Sequence, residues 1–276
     1  MSTEKRNYKR ILLILFGLIT VIFFLVPYFW MVVVSLRTTS EMMRNPGTIL
    51  PIIWTLKNYV KVLTESPFFT WFLNSVKVTG SVTLLVLFTS SLTGYVFAKY
   101  RFPMKNTLFW LVLATMMVPA QVTMIPGFLI INAMGLYNTL YALIIPAAMS
   151  AFGIFLCRQF CEDIPDSLCE AAFIDGAGDF YIYLRIIIPL LRPCLAALAI
   201  FTFLNTWNDY LGPLIMLESV KRMTLPVALS FFSDAHARDT NAVMAAAVMI
   251  MTPVTVLFLS LQKQFIKGIT LTGVKS

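Results

Sequence analysis

Charged residues are scarce in this chain of 276 residues. They make up 12% of the sequence, whereas 59% of the residues are hydrophobic. A soluble domain carries about a quarter charged residues, so this composition excludes an ordinary water-soluble fold, and the mean hydropathy of +0.82 agrees. The net charge of +8 lies in short clusters between apolar runs. A nucleic-acid-binding protein would instead show a basic face or stripe, so we predict no nucleic-acid partner.

Histidine and cysteine, the usual ligands of a structural metal, are also few. The chain has one histidine, His236, and four cysteines, Cys157, Cys161, Cys169 and Cys194. Structural zinc sites use four such ligands at close spacing, and the histidine is far from the cysteines in sequence. We therefore predict no metal site, and we interpret the cysteines as small buried hydrophobic residues in a reducing compartment.

Sequence motifs of catalysis and nucleotide binding are missing. There is no H-E-x-x-H, no G-x-S-x-G and no paired-carboxylate site, and His236 lacks an evident catalytic partner. The nearest approach to a P-loop is residues 268–276, where Val274 separates Gly273 from Lys275 and so breaks the required G-K-[ST]. We predict that the chain is not an enzyme and binds no cofactor.

Long apolar runs are what the sequence does contain. A helix needs about 20 apolar residues to cross a bilayer. Several runs also contain proline, which membrane helices tolerate where neighbouring groups satisfy the freed carbonyls. The sequence therefore predicts an all-α, polytopic membrane protein with kinked helices. Its six runs cover residues 11–36, 72–98, 107–131, 137–156, 195–217 and 242–261.

Lysine and arginine predict the orientation of these six spans. They cluster in a leader at residues 1–10, between runs two and three, between runs four and five, and after run six. Cytoplasmic loops carry such an excess, so both termini are expected in the cytoplasm, with residues 11–276 forming one transmembrane domain. The first outer segment is also basic, but long loops cross the membrane with little regard to charge. Within it, Trp54 to Leu63 is compatible with an interfacial helix or with an ordered loop.

The inner loop at residues 157–193 has the composition of a folded segment rather than a linker. Ser167 and Glu170 have the spacing of a capping box, and Asp166 could serve as the N-cap instead. Gly176 is a typical residue at a helix C-terminus. We therefore predict a short cytoplasmic helix between runs four and five, followed by a second helical piece that ends at Pro189. This short helix either docks a partner protein or caps the bundle.

Polar residues inside the spans are candidates for a transport path. Four of them lie in run five, and one lies in run three. Ionisable and amide groups in a membrane are costly, so they usually face a cavity or a partner. The alternatives are that they hydrogen-bond neighbouring helices, or that Asp209 lies near the outer interface. The candidate substrate-path residues are Asn205, Trp207, Asn208, Asp209 and Gln121.

The loop sequence resembles the EAA motif of bacterial ABC importer permeases. That motif reads E-A-A, three residues, G, nine residues, I-x-L-P. The single departure is Ile188, where leucine is usual. Less specific features resemble the carbohydrate-uptake branch of these permeases, and within it the maltose-permease G type. They are Asn74-Ser75, Phe102-Pro103, residues 207–210 and the ending at residues 262–275. The motif positions are filled by Glu170, Ala171, Ala172, Gly176, Ile186 and Pro189, with Asp175 and Ala177 matching its common D-G-A core.

The resemblance implies a mechanism and a set of partners. A second, unlike permease subunit would complete the path for a sugar or sugar-like solute. A dimer of separate ATPase subunits would use the ATP, and an extracytoplasmic binding protein would deliver the solute to this multi-pass protein of the bacterial inner membrane. A secondary transporter and a membrane-embedded enzyme are the rival interpretations. By resemblance, the ATPase-coupling residues would be Glu170, Ala171, Ala172, Asp175 and Gly176.

Overall fold

The structure, a computed structural model, describes residues 2–45, 47–236 and 239–273. Side chains are described for residues 12–45, 47–236, 239–256, 259 and 260, so the predicted basic leader and the basic ending lie outside that description. Regular structure in the described ranges is helical, which confirms the all-α class. The α-helices are α1 (Ser2–Ser35), α2 (Thr39–Arg44), α3 (Lys57–Glu65), α4 (Phe68–Lys99), α5 (Lys105–Thr115), α6 (Ala120–Ala133), α7 (Tyr141–Ile144), α8 (Ala151–Glu162), α9 (Asp166–Ile174), α10 (Asp179–Ile182), α11 (Ile188–Leu190), α12 (Arg192–Trp207), α13 (Leu211–Met216), α14 (Leu225–Ala235) and α15 (Thr240–Gly273).

Several helices are long and apolar enough to cross a membrane. Among the described residues, three such segments are Leu12–Ser35, Phe68–Lys99 and Tyr141–Glu162. Two further pairs of helices qualify if each bent pair counts as one span: α5 with α6, and α10–α11 with α12. The number of candidate spans is therefore three to five by length and composition, and α15 adds a shorter apolar stretch, Thr240–Val256.

Runs three, four and five are not continuous helices, and run four is interrupted at Met149 and Ser150, which have extended backbone angles. Run three bends by 98° between α5 and α6, where Pro119 stands at the N-cap of α6. Proline disfavours the helical conformation in the residue before it, so a helix readily ends there. Run five ends its first helix at Trp207, and α13 begins at Leu211. Pro213 lacks an N–H and its ring would clash with the carbonyl of Asp209 in an unbroken helix.

The chain divides into two compact units. The first comprises Met1–Phe68 and Leu229–Thr252, and the second comprises Phe69–Ala228 and Pro253–Ser276. In the first unit, the end of α1 is capped by two buried amides. Asn58 donates to the carbonyls of Ser35 and Arg37, and Asn241 donates to those of Val34 and Arg37. These bonds satisfy carbonyls that lack partners inside the helix.

A buried ion pair orders the segment after α1. The Arg37 side chain is fully buried and lies 3.3 Å from the carboxylate of Glu41. Glu41 accepts from the backbone N–H groups of Ile52 and Ile53. These contacts, led by the hydrogen bond from Ile52, hold the pKa of Glu41 below its ordinary value. Between Trp54 and Leu63, the helix α3 begins only at Lys57, so the first three residues of this stretch lie outside the helix.

The second unit has its core around α4, α8 and α12. Ser90 and Gly94 on α4 lie against Gly153 and Cys157 on α8, each pair being four residues apart. A Cβ added at Gly94 would lie 2.6 Å from the Cβ of Cys157. Small residues at this spacing let two membrane helices approach closely. The contact joins α4 to the helix that leads into the inner loop.

Candidate functional site

The predicted short helix of the inner loop is α9, between Pro165 and Asp175. Its C-terminus matches the prediction: Gly176 has φ +85°, its N–H donates to the Phe173 carbonyl, and the N–H of Ala177 donates to the Ala172 carbonyl. This Schellman arrangement favours glycine at the left-handed position. The predicted capping box is wrong, because the helix starts at Asp166, with Pro165 at the N-cap and no side-chain cap. Proline has no side-chain acceptor for the first N–H groups of the helix, but its fixed φ suits the start of a helix.

The motif residues of α9 divide between an inner and an outer side. Cys169, Ala172 and Ala177 pack against the core of the second unit. Glu170, Ala171, Asp175 and Gly176 are exposed. Large apolar side chains accompany them, with Phe173 67% and Ile174 84% exposed. Of the five predicted coupling residues, four therefore face away from the core of this unit and one, Ala172, faces towards it.

Two residues at and just after the end of α4 form hydrogen bonds to the start of α9 and to the start of α10. Lys99 donates to the Ile164 carbonyl and, at 2.6 Å, to the carboxylate of Asp166. The hydrogen bond from Lys99 lowers the pKa of Asp166. Tyr100 donates to Asp179 at 2.5 Å. Burial, followed by this hydrogen bond, raises the pKa of Tyr100, so its hydroxyl stays protonated and remains a donor.

A π-helical stretch connects the inner loop to α12. It covers Tyr183–Ile187, directly before Pro189. Proline has no N–H to donate to the carbonyl of residue 185, so the helix cannot keep its ordinary pattern there. The predicted second helical piece therefore exists, with a changed register, and the chain bends by 78° before α12. This short connection joins the inner loop directly to α12.

Two grooves flank the exposed side of α9. One, of about 460 Å³, is lined by residues that include Lys99, Glu170, Phe173 and Asp179. The other, of about 450 Å³, is lined by residues that include Asp175, Gly176 and Tyr181. The helix α9 thus presents exposed acidic and apolar residues between two grooves. The side chains of a partner protein can insert into these grooves.

A cavity of about 460 Å³ lies between α4, α7, α12 and α13 in the second unit. Two predicted path residues, Asn205 and Asp209, line it. Trp207 is 2% exposed and stacks on Phe203 with ring centroids 5.4 Å apart, so it belongs to the packing. Asn208 is exposed and bonds the Leu204 carbonyl. The polar residues that line the cavity are Ser75, Thr79, Asn205, Thr206, Asp209 and Thr224.

Gln121 lies apart from that cavity lining, exposed in the first turn of α6. Ser75, Thr79 and Thr224 were not among the predicted path residues. A signal for the first two existed, because Ser75 and Thr79 are four residues apart and so share one face of an apolar helix. Thr224 gives no such signal, since it precedes α14 in a connection.

The pair Asn74-Ser75 has a visible structural role. Asn74 donates to the carbonyls of Lys221 and Met223, and Ser75 accepts from the N–H of Leu225. Both residues are buried. They hold the connection before α14 against α4, and thereby place Thr224 beside the cavity.

The cysteines do not form a metal site in the described part of the chain, where no cluster of three potential ligands occurs. Cys157, Cys161 and Cys194 are buried free thiols, and the sulfurs of Cys157 and Cys194 are 3.9 Å apart. His236, for which the sequence shows no catalytic partner, is half-buried. It stacks on Phe232, and its Nε2 lies 3.1 Å from the Glu65 carboxylate.

Comparison with known proteins decides the family. The family model of the binding-protein-dependent transport system inner membrane component matches residues 87–271. The chain belongs to this family. It is a permease subunit of an ABC transporter, and the ATPase of such a transporter is a separate subunit.

Curated relatives agree with this assignment over almost the whole permease. The arabinooligosaccharides transport system permease protein AraQ of Halalkalibacterium halodurans is 37% identical over 90% of each chain. The lactose transport system permease protein LacG of Rhizobium radiobacter is 33% identical over 88% of each chain. The relatives therefore match this permease along its length, beyond the EAA segment alone.

A solved structure supports the fold as well. The permease is similar to a chain in the crystal structure of a bacterial ABC transporter involved in the import of the acidic polysaccharide alginate, with a TM-score of 0.82 and 27% identity. The match covers 93% of the permease and 97% of that chain.

Proposed function

We propose that this permease forms half of the translocation path for a sugar or sugar-like solute in a bacterial importer. The observation that carries the proposal is the likeness to relatives named for arabinooligosaccharides and lactose, at 33–37% identity over at least 88% of the chain. The polar cavity that contains Asn205 and Asp209 supports it, because amides, hydroxyls and carboxylates are groups that bind sugar hydroxyls.

We further propose six spans in the bacterial cytoplasmic membrane, with both termini inside. They would be α1, α4, the bent pair α5–α6, the segment Tyr141–Glu162, α12 with its bent partner, and α15. In support, α1 exposes apolar side chains throughout Leu12–Ile22, as a helix does when it faces lipid or a second permease. The basic inner loops support this orientation.

The partners in this proposal are a second, unlike permease subunit, an ATPase dimer and an extracytoplasmic solute-binding protein. The ATPase docks on α9 through Glu170, Ala171, Asp175 and Gly176, with Ala172 supporting the helix from behind. The exposed Phe173 and Ile174 beside acidic groups favour docking over a mere cap, since a cap would bury them. Closure of the ATPase dimer would move α9 as a rigid piece and so switch the path between two arrangements.

ATPase binding tests the docking proposal. The complex is purified with wild-type permease, Glu170→Lys or Ala171→Trp, and the co-purifying ATPase is quantified. We expect both variants to release the ATPase while the permease pair remains folded in the membrane. Glu218→Lys is the matched control, because Glu218 is an exposed acidic residue outside the inner loop. Normal ATPase binding by both α9 variants would overturn the docking proposal.

Transport of the solute tests the rest of the proposal. Proteoliposomes that contain the complete importer are supplied with ATP and radiolabelled arabinotriose or lactose, with the binding protein outside. We expect uptake of at least one neutral saccharide, dependent on ATP. Uptake of no saccharide, together with normal assembly of the complex, would contradict the assignment of sugar as solute.

A further inference from the structure

The cavity of the second unit has polar side chains that are built into its wall but lack partners. Thr79 is 1% exposed and Thr224 is 5% exposed, and both line the cavity. Neither hydroxyl has a hydrogen-bond partner within the part of the chain that the structure describes. A buried hydroxyl without a partner costs free energy, so both groups are available to a ligand that offers hydroxyls.

One carboxylate stands among these neutral groups. Asp209 is the ionisable residue of the described lining, which contains no lysine, arginine or histidine. Its Oδ1 accepts from the backbone N–H of Gly212 at 3.2 Å. A Cβ added at Gly212 would lie 2.5 Å from Oδ2 of Asp209. The absence of a side chain at position 212 therefore permits the carboxylate to lie where it does.

From this arrangement we propose that the cavity is a binding site in this subunit for a neutral saccharide, and that Asp209 excludes anionic ones such as uronates and sugar phosphates. Thr79, Thr224 and Asn205 exchange hydrogen bonds with sugar hydroxyls. The Asp209 carboxylate accepts from a hydroxyl of a neutral ligand and repels a carboxylate or phosphate. This inference deepens the proposed function and rests on it.

The magnitude of the exclusion follows from the size of the cavity. A cavity of 460 Å³ is about 10 Å wide, and like charges at that distance change a binding constant roughly tenfold at an effective dielectric constant of about 20. An anion bound closer to Asp209 is disfavoured more strongly. A neutral saccharide meets no such penalty.

Charged thiol reagents test the exclusion without knowledge of the natural solute. Thr79→Cys is introduced into the complete importer with Cys169→Ser, because Cys169 is the half-buried native thiol and the other three are buried. Rates of modification by cationic and anionic methanethiosulfonates are measured in each nucleotide state. Thr224→Cys repeats the measurement if Thr79→Cys fails to assemble. Asn132→Cys, exposed near the end of α6, is the control outside the cavity.

The rate of each reagent at the cavity thiol is divided by its rate at the control thiol. We expect this ratio to be at least about tenfold higher for the cationic reagent than for the anionic one. Asp209→Asn should abolish the preference. Gly212→Ala should weaken it, because the added methyl group displaces the carboxylate without removing it. α-1,4-Galactobiose should protect the thiol from modification, whereas α-1,4-digalacturonate, which differs by carboxylates in place of hydroxymethyl groups, should protect only in Asp209→Asn.

ATP-driven uptake by the same vesicles separates this inference from the proposed function. If uptake of a neutral saccharide is normal but the cavity thiol shows no charge preference, or is not protected by galactobiose, the inference is wrong and the proposed function stands. A thiol that reacts in no nucleotide state overturns the inference too, because a site on the path must be reachable. Absence of any saccharide uptake overturns the proposed function.

Discussion

Replacement of Gly94 by alanine should loosen the contact between α4 and α8. The added Cβ would lie 2.6 Å from the Cβ of Cys157 and 2.8 Å from the backbone N of Arg158, well short of the 3.4–4 Å of ordinary contact. The second neighbour is backbone, so no side-chain rotation relieves the overlap and the helices have to separate. Overpacking of this kind costs about 1–3 kcal/mol.

Gly80→Ala is the matched control for this prediction. Gly80 lies on the same helix, α4, and a Cβ at that position meets no atom within 4 Å. Both substitutions gain the same helix propensity, about 1 kcal/mol in a helix interior. The difference between the two variants therefore isolates the overlap at Gly94, and we expect it to be about 2 kcal/mol.

Denaturation of the purified subunit in mixed micelles measures this difference. Titration with sodium dodecyl sulfate, followed by tryptophan fluorescence and circular dichroism, gives the free energy of unfolding of each variant. Gly94→Ala should unfold at lower denaturant than the wild type, and Gly80→Ala at the same or higher denaturant. Equal free energies of unfolding for the two variants would refute the close packing of α4 on α8.

Three further predictions follow from contacts within the two units. Lys99→Met removes the bond to Asp166 at the start of α9, and should lower the amount of solute transported per ATP hydrolysed while ATPase binding persists. Burial alone would raise the pKa of Asp239, but the hydrogen bond from Lys61 and weaker contacts hold it below its ordinary value. The stability from Asp239 is thus present above about pH 4 and lost as pH falls through the lowered pKa, so Asp239→Asn should flatten the acid limb of a stability-versus-pH curve. Asn74→Leu leaves two backbone carbonyls without their donor, which should cost about 2 kcal/mol in the free energy of unfolding and increase hydrogen exchange before α14.

Each of these three variants has a result that would contradict the role assigned to the residue. Unchanged solute-to-ATP stoichiometry in Lys99→Met would show that α9 is positioned by other contacts. An identical acid limb in Asp239→Asn would mean that its ion pair does not contribute to the pH dependence. Wild-type stability and exchange in Asn74→Leu would contradict the role of Asn74 in holding the connection before α14.

Local rules predicted the ends of α9 only in part. Gly176 ends the helix as expected, because a positive φ is inexpensive for glycine alone. The capping box failed because Ser167 and Glu170 satisfy a spacing that also occurs inside a helix, and Pro165 with Lys99 fixes the start instead. That Lys99 contact links residues 67 positions apart, which no local pattern reveals.

Composition predicted the apolar runs, but their breaks depend on single residues. The prolines inside the runs predicted kinked helices, but Pro119 breaks run three outright and Pro213 breaks run five. In the cavity, Asn205 and Asp209 were predicted because polar residues are rare in apolar runs. Thr224 could not be, because its position depends on the bonds from Asn74 and Ser75 to a connection about 150 residues away.

Solute accumulation in proteoliposomes tests the central claim most directly. Vesicles that contain this permease, its partner permease and the binding protein are compared with and without a functional ATPase subunit, at fixed ATP and with arabinotriose as solute. Accumulation should require the active ATPase and should disappear with Glu170→Lys. Accumulation that continues without the ATPase would contradict the account and favour a self-sufficient secondary transporter.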